Sequence, residues 1–240
     1  MADGSTCYSK AMEILVTGIT YGILAVAYWR GISAIVLVCG HSEPHYRPLA
    51  KSRVKKAKIL LNAILDIILF RRLLRVNRAL WIGEWVFHVS FALVLLGHLR
   101  YIMQPVPGIV MELNCIGKHA GYVLPLSLLY ILIVRLVISE KGEYFSVRNL
   151  VLVSVIFILG ATGVIMRYFV RPDVIDIKHY VLGVLAFDPN PLPLDPVFLL
   201  HYILFLVLLL FLPSHILAAP IVMIEARERD DTFVPLGHEE

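Results

Sequence analysis

The chain has 240 residues, 59% of them apolar and 17% charged, with a formal net charge of +4. Soluble domains average about 45–50% apolar and about 25% charged residues, so a soluble globular protein, a disordered chain and a disulfide scaffold are excluded. The mean hydropathy of +0.79 leaves a polytopic membrane protein. Cys7, Cys39 and Cys115 are far apart and form no CxxC pair, which removes a covalent c-type haem, a cysteine-ligated iron–sulfur cluster and a zinc ribbon.

In chain order, the first predicted element is a membrane span over about 12–29, with apolar character continuing past Arg30 to Cys39. It runs on too far for the h-region of a signal peptide. The segment over about 57–78 is different. Its apolar stretch Ile59–Phe70 is too short to cross, holds Asn62 and Asp66, and is flanked by Lys55, Lys56, Lys58, Arg71 and Arg72. That pattern predicts an amphipathic helix on a membrane surface or against a partner. Further spans follow over about 80–103, 121–138, 150–170 and 197–222, each long enough to cross about 30 Å of hydrocarbon at 1.5 Å per residue. The connection Pro172–Pro196 holds five prolines, cannot be one helix, and is expected to fold over the outer mouth of the bundle. There is no internal repeat. The expectation is all-α: one domain over 1–240, a bundle of five transmembrane helices.

Ten of the 22 basic residues lie between Arg47 and Arg78. The positive-inside rule puts that connection in the cytoplasm, with the N-terminus outside and the C-terminus cytoplasmic, in the cell inner (cytoplasmic) membrane. Lys141 and Arg148 also fall inside, whereas Lys118, Arg171 and Lys178 fall outside. Trp81, Trp85, Tyr101 and Tyr168 read as interfacial aromatics.

Four of the nine histidines fall inside two spans: His88 and His98 in the second, His201 and His215 in the fifth. Ionisable groups at membrane depth are costly and usually face the bundle interior, where they mark function. The two spans run in opposite directions, which puts His98 level with His201 toward the outside and His88 level with His215 toward the inside. The separations along the helices are about 15 Å and about 21 Å, and the members of each pair lie about 80° and about 40° apart around their axes. Two imidazoles at one depth on opposing helices can clamp the iron of a b-type haem from both faces. The same residues also admit a histidine relay in a transporter or proton channel, or plain interhelical packing in a haem-free membrane anchor.

The stretch FHVSFALVLLGHLRYI (Phe87–Ile102) resembles the second helix of the respiratory nitrate reductase gamma subunit, and PSHILAAP (Pro213–Pro220) resembles the end of that family's last helix. GVIMRYFVRPD (Gly163–Asp173) and GHLRYI look closer to a branch that includes the membrane cytochromes of heterodisulfide reductase and of sulfate reducers. The resemblance implies a five-helix cytochrome b with two haem b groups, one held by His98 with His201 and the other by His88 with His215. In the nitrate reductase branch the two last-helix histidines stand about one turn further apart, a departure that falls on His201, for which His179 is a competitor.

The family's quinol-contacting lysine on the outer connection corresponds to Lys118, and a cation there would stabilise an anionic quinone oxygen. His119 is a neighbouring candidate for proton exchange. Arg100 and Arg167, near the outer helix ends, are candidates for haem propionates through bidentate pairing. The chain carries electron carriers but no group for substrate chemistry, and no catalytic residue is assigned. The implied role is electron exchange between the quinone pool and a cytoplasmic iron–sulfur or molybdenum subunit, or an extracytoplasmic cytochrome, in a respiratory oxidoreductase complex. The docking surface expected for the inner partner is Arg47–Arg78, which could equally bind lipid headgroups. No nucleic-acid partner is expected.

Overall fold

The structure, a computed structural model, describes residues 3–40, 53–138 and 147–213. Those residues form α1 (Asp3–Gly40), α2 (Arg53–Leu69), α3 (Arg71–Val76), α4 (Arg78–His98), α5 (Gly108–Ile138), α6 (Val147–Ile165) and α7 (Val174–Leu185). A final helix, α8, is described over Pro196–Pro213. No strand occurs among them. Five helices are long and apolar enough to cross a membrane: Lys10–Val36, Arg78–Tyr101, Gly108–Val137, Asn149–Val170 and Pro196–Pro213. The all-α bundle expected from composition is therefore the fold. Its outward faces carry Ile133, Leu136, Val137 and Leu126, all exposed, as suits helices whose solvent is lipid.

The basic amphipathic segment forms two helices. Phe70 takes a left-handed conformation (φ 47°) between α2 and α3. Asn77 then caps α4 by accepting from the Leu80 N–H at 2.9 Å. Trp81 donates its Nε1–H to the Leu69 carbonyl at 2.7 Å, satisfying an orphan acceptor at the end of α2. This indole ties α2 to α4, a role beyond the interfacial anchor expected of it.

Helices α4 and α5 form an antiparallel hairpin that approaches closely at glycines. A Cβ on Gly83 would stand 2.7 Å from the Tyr130 ring and 2.8 Å from Ile131, and one on Gly117 would stand 3.2 Å from the Leu93 carbonyl. Gly160 of α6 meets Leu124 and Pro125 of α5 in the same way, at 2.9 and 3.3 Å. Small residues let backbones meet where no hydrophobic drive between helices exists.

The sequence expectation begins the third span at 121, but α5 begins at Gly108. The stretch with Glu112, Asn114, Lys118 and His119 looks too polar to cross a membrane. Yet it contains no proline, and glutamate and lysine are good helix formers, so the helix continues through it.

The proline-rich connection is not one helix, as expected, but it does contain one. Asp173 caps α7 by accepting from the Ile175 and Asp176 N–H groups. The helix places Ile177, Tyr180 and Val184 in a core with Val16, Leu192 and Phe198, against Tyr101 and Met166. The loop after α7 folds back so tightly that a Cβ on Gly183 would stand 2.6 Å from the Asp188 carbonyl and 2.8 Å from the Asn190 nitrogen. Those are backbone atoms and cannot swing aside. Gly183→Ala is therefore expected to destabilise the protein by about 1–3 kcal/mol. Gly22→Ala, whose Cβ meets nothing within 4 Å, should leave stability unchanged or slightly raised. Thermal unfolding in detergent compares them, and equal melting temperatures would contradict the packing described.

Candidate functional site

The outer histidines meet. The rings of His98 on α4 and His201 on α8 lie with their centres 6.4 Å apart and their planes within 12° of parallel. His98 donates Nδ1–H to the Val94 carbonyl one turn below, at 2.7 Å. His201 sets its Nδ1 3.0 Å from Thr162 Oγ1 on α6. Gly163, the next residue, brings the α6 backbone so near that a Cβ there would lie 3.3 Å from His201 Cε1. The short spacing from His201 to His215 thus does not keep His201 from His98. His179, its competitor, is exposed on α7 and its carbonyl accepts from Asn190 Nδ2 at 2.9 Å.

His88 repeats the pattern of His98, donating Nδ1–H to the Glu84 carbonyl at 2.7 Å. Phe70 and Phe87 flank its ring at 4.7 and 4.8 Å. Its expected partner, His215, lies outside the described residues, as does the stretch Ser214–Pro220. Two residues beside His88 escaped the sequence reading. Glu84 and Arg135 form an ion pair between α4 and α5, with Arg135 Nη2 2.7 Å from Glu84 Oε1, and Glu84 Oε2 lies 4.0 Å from His88 Nδ1. Each residue alone reads as an end-of-helix charge, and only the antiparallel register of the hairpin brings them together.

Arg100, two residues beyond His98, donates from Nη2 to Tyr101 OH at 2.6 Å and lies over that ring, 4.7 Å from its centre. Its Nε is buried and has no hydrogen-bond partner among the described residues. Arg167 sits in a π-helical turn, Met166–Val170, one turn outward from Gly163. It lies 5.9 Å from the centre of the Tyr168 ring, which in turn stacks on Tyr122 at 5.2 Å.

Lys118 and His119 differ from expectation. Neither is on an outer connection. Both lie inside α5, Lys118 half-buried and His119 exposed. The adjacent Gly117 packs on the Leu93 backbone, five residues and so about 7 Å inward of His98 along α4. An apolar groove of about 360 Å³ runs between α5 and α6, lined by Tyr122, Pro125, Leu126, Ala161, Val164 and Ile165. Tyr122 is one turn from Lys118.

A polar cluster unanticipated from sequence ties α1 to this end of the bundle. The Thr20 hydroxyl donates to the Val16 carbonyl at 2.8 Å and accepts from Tyr202 OH at 3.0 Å. Thr17 lies 3.4 Å from Tyr180 OH, and Tyr21 OH donates to the Val184 carbonyl at 3.1 Å. Lone tyrosines and threonines in apolar runs carry no sequence pattern that separates such partners from lipid-facing residues.

The two outer rings fit a shared metal ion. A metal–imidazole bond is about 2.0–2.1 Å, and the nitrogen lies about 1.1 Å from its ring centre, so two rings clasping one ion have centres roughly 6.3 Å apart. The observed centre-to-centre distance of 6.4 Å matches that spacing. Both Nδ1 atoms are engaged with other groups, as the second ring nitrogen of a metal-bound histidine almost always is. Among the described residues no group of three or more histidine, cysteine or acidic side chains gathers as a metal site; two opposed histidines suit an ion whose other ligands would come from a macrocycle.

The fold and this clamp define a multi-helix membrane protein with a histidine pair facing across two helices. The chain is 27% identical to the Hdr-like menaquinol oxidoreductase cytochrome b-like subunit of Archaeoglobus fulgidus, over 62% of this chain and 53% of that protein. It is also 27% identical to the subunit of the same name from Archaeoglobus profundus, over 57% of this chain and 45% of that protein. The chain spans about half the length of these curated relatives. No family profile and no solved structure matches it. Both relatives are named as cytochrome b-like subunits of an Hdr-like menaquinol oxidoreductase, and the likeness to the nitrate reductase gamma subunit finds no match among them.

The ion pair near His88 makes a checkable statement. Arg135→Met leaves the half-buried Glu84 carboxylate without its cation and is expected to cost about 1–3 kcal/mol. The double variant Glu84→Gln with Arg135→Met should cost less than the two single changes together, by about 0.5–2 kcal/mol. Strict additivity in a double-mutant cycle, read from unfolding in detergent, would contradict the pairing.

Proposed function

We propose that the chain is a b-type cytochrome subunit of a quinone-linked membrane oxidoreductase, holding one haem b between His98 and His201 and a second between His88 and His215. The observation that carries this reading is the outer clamp, two parallel imidazoles 6.4 Å apart. Each bound haem would supply a one-electron carrier. His98 and His201 hold it from opposite faces, and Gly163 keeps the α6 backbone near the His201 ring without a side chain to displace it. Arg100, whose Nε has no hydrogen-bond partner among the described residues, and Arg167, one turn out from Gly163, are the cations for the propionates.

A proton relay is served less well by the same geometry. A neutral imidazole has one N–H, and that of His98 is committed to Val94, which leaves no donor to hand a proton to His201. The curated names of the two relatives support a quinone-linked role.

In this reading a quinone sits with its tail along the α5–α6 groove, its head near Lys118, whose ammonium stabilises negative charge on a quinone oxygen, with His119 exchanging the proton. The N-terminus is outside and the C-terminus cytoplasmic. The partner is an iron–sulfur or molybdenum subunit docked on the inner basic segment around α2 and α3.

His98→Ala and His201→Ala are each expected to remove the same one of two haems, and His88→Ala the other, in a pyridine haemochrome count on purified protein. Unchanged counts in all three would overturn the ligand assignment. Lys118→Ala should slow reduction of the bound haem by a menaquinol analogue about tenfold, corresponding to about 1.4 kcal/mol of barrier, with haem content intact. An unchanged rate in stopped-flow spectra would remove Lys118 from the quinone site.

A further inference from the structure

We propose that Thr162 is the positioning residue of His201: its hydroxyl fixes the tautomer and the plane of that ring, and so tunes the outer haem. The inference rests on the haem reading above.

The hydrogen-bond arithmetic is closed. Thr162 Oγ1 lies 2.9 Å from the Ile158 carbonyl, 3.0 Å from the Leu159 carbonyl and 3.0 Å from His201 Nδ1. A hydroxyl has one proton, and a carbonyl oxygen only accepts. The Thr162 proton therefore goes down its own helix, the back-bonding typical of threonine in membrane helices. Its lone pair then faces His201, and a donor must come from the ring. That places the His201 proton on Nδ1 and leaves Nε2 bare for a metal. Thr162 is buried, at 5% exposure, so water does not compete for either bond.

The rotation of the ring is fixed by the same pair of residues. Thr162 holds Nδ1, while Gly163 leaves the space beside Cε1 open, where a Cβ would come to 3.3 Å. Together they seat His201 on α6, a helix other than its own. His88 and His98 are held differently, each by a carbonyl one turn back on its own helix. The outer clamp therefore has one ligand backed by a carbonyl and one backed by a hydroxyl. A hydroxyl that accepts from Nδ1–H makes the imidazole more electron-donating, which stabilises the oxidised ion. The seat also sets the near-parallel 12° relation of the two rings. Parallel imidazole planes give a rhombic low-spin ferric signal, whereas perpendicular planes give a highly axial one.

The test uses full-length, haem-loaded protein and the variants Thr162→Val and Thr162→Ser. Thr162→Val keeps the shape and removes the hydroxyl. It is expected to retain both haems and to raise the potential of one. The expected size is a threefold to tenfold change in its redox equilibrium, at most about 59 mV for one electron. The ferric spectrum of that haem should move away from its rhombic form, and Thr162→Ser should restore both readouts. Loss of one haem in Thr162→Val that Thr162→Ser restores supports the same role. Unchanged potentials and spectra in Thr162→Val overturn it, as does a loss that Thr162→Ser fails to restore. If His201→Ala keeps both haems, the ligand assignment itself fails, an outcome separate from either result with Thr162.

Discussion

An imidazole inside a membrane must place its single N–H, because an unsatisfied donor in hydrocarbon costs several kcal/mol. The end of the bundle that carries His98 and His201 is arranged around that constraint. His98 spends its proton on its own helix, and His201 reaches across to Thr162. With both Nδ1 atoms committed, the remaining nitrogens are bare, and the rings face one another at the width of a metal ion. At Gly163 a Cβ would crowd the His201 ring, coming to 3.3 Å from Cε1.

The rest of the fold holds α4 and α8 at that separation. The α4–α5 hairpin is locked by glycine contacts at Gly83 and Gly117 and by the Glu84–Arg135 pair at its inner end. Helix α6 docks on α5 through Gly160 and delivers Thr162 to His201. At the His98–His201 end, α7 lays Tyr180 and Val184 over Val16 and Phe198, while the Thr20–Tyr202 bond ties α1 to the residue after His201. Apart from the apolar cluster under α7, these interfaces join small residues or paired polar groups, which is how helices associate when lipid removes the usual hydrophobic gain.

Much of this was legible in the sequence. Long apolar runs carry their own length, so five spans could be read directly. Histidine spacing on antiparallel helices carries depth, so the opposition of His98 and His201 could be expected before any coordinates. What was not legible depends on register between helices. Lys118 looked like a loop residue because polarity was taken as a boundary, yet a helix tolerates glutamate and lysine and does not end there. Glu84 and Arg135 meet only because the hairpin has one particular register. Thr162 carries no signal at all, since a threonine in an apolar run most often bonds its own backbone, and here it does so and serves His201 as well. Helix α7 was hidden by surrounding prolines, all of which fall outside Val174–Leu185.

The central claim is that the parallel histidines exist to hold haem iron. The most direct measurement is a reduced-minus-oxidised optical spectrum of the purified wild-type chain with its haem quantified per polypeptide. The account predicts b-type bands and two haems per chain. A protein purified from haem-replete membranes with no Soret band would contradict it.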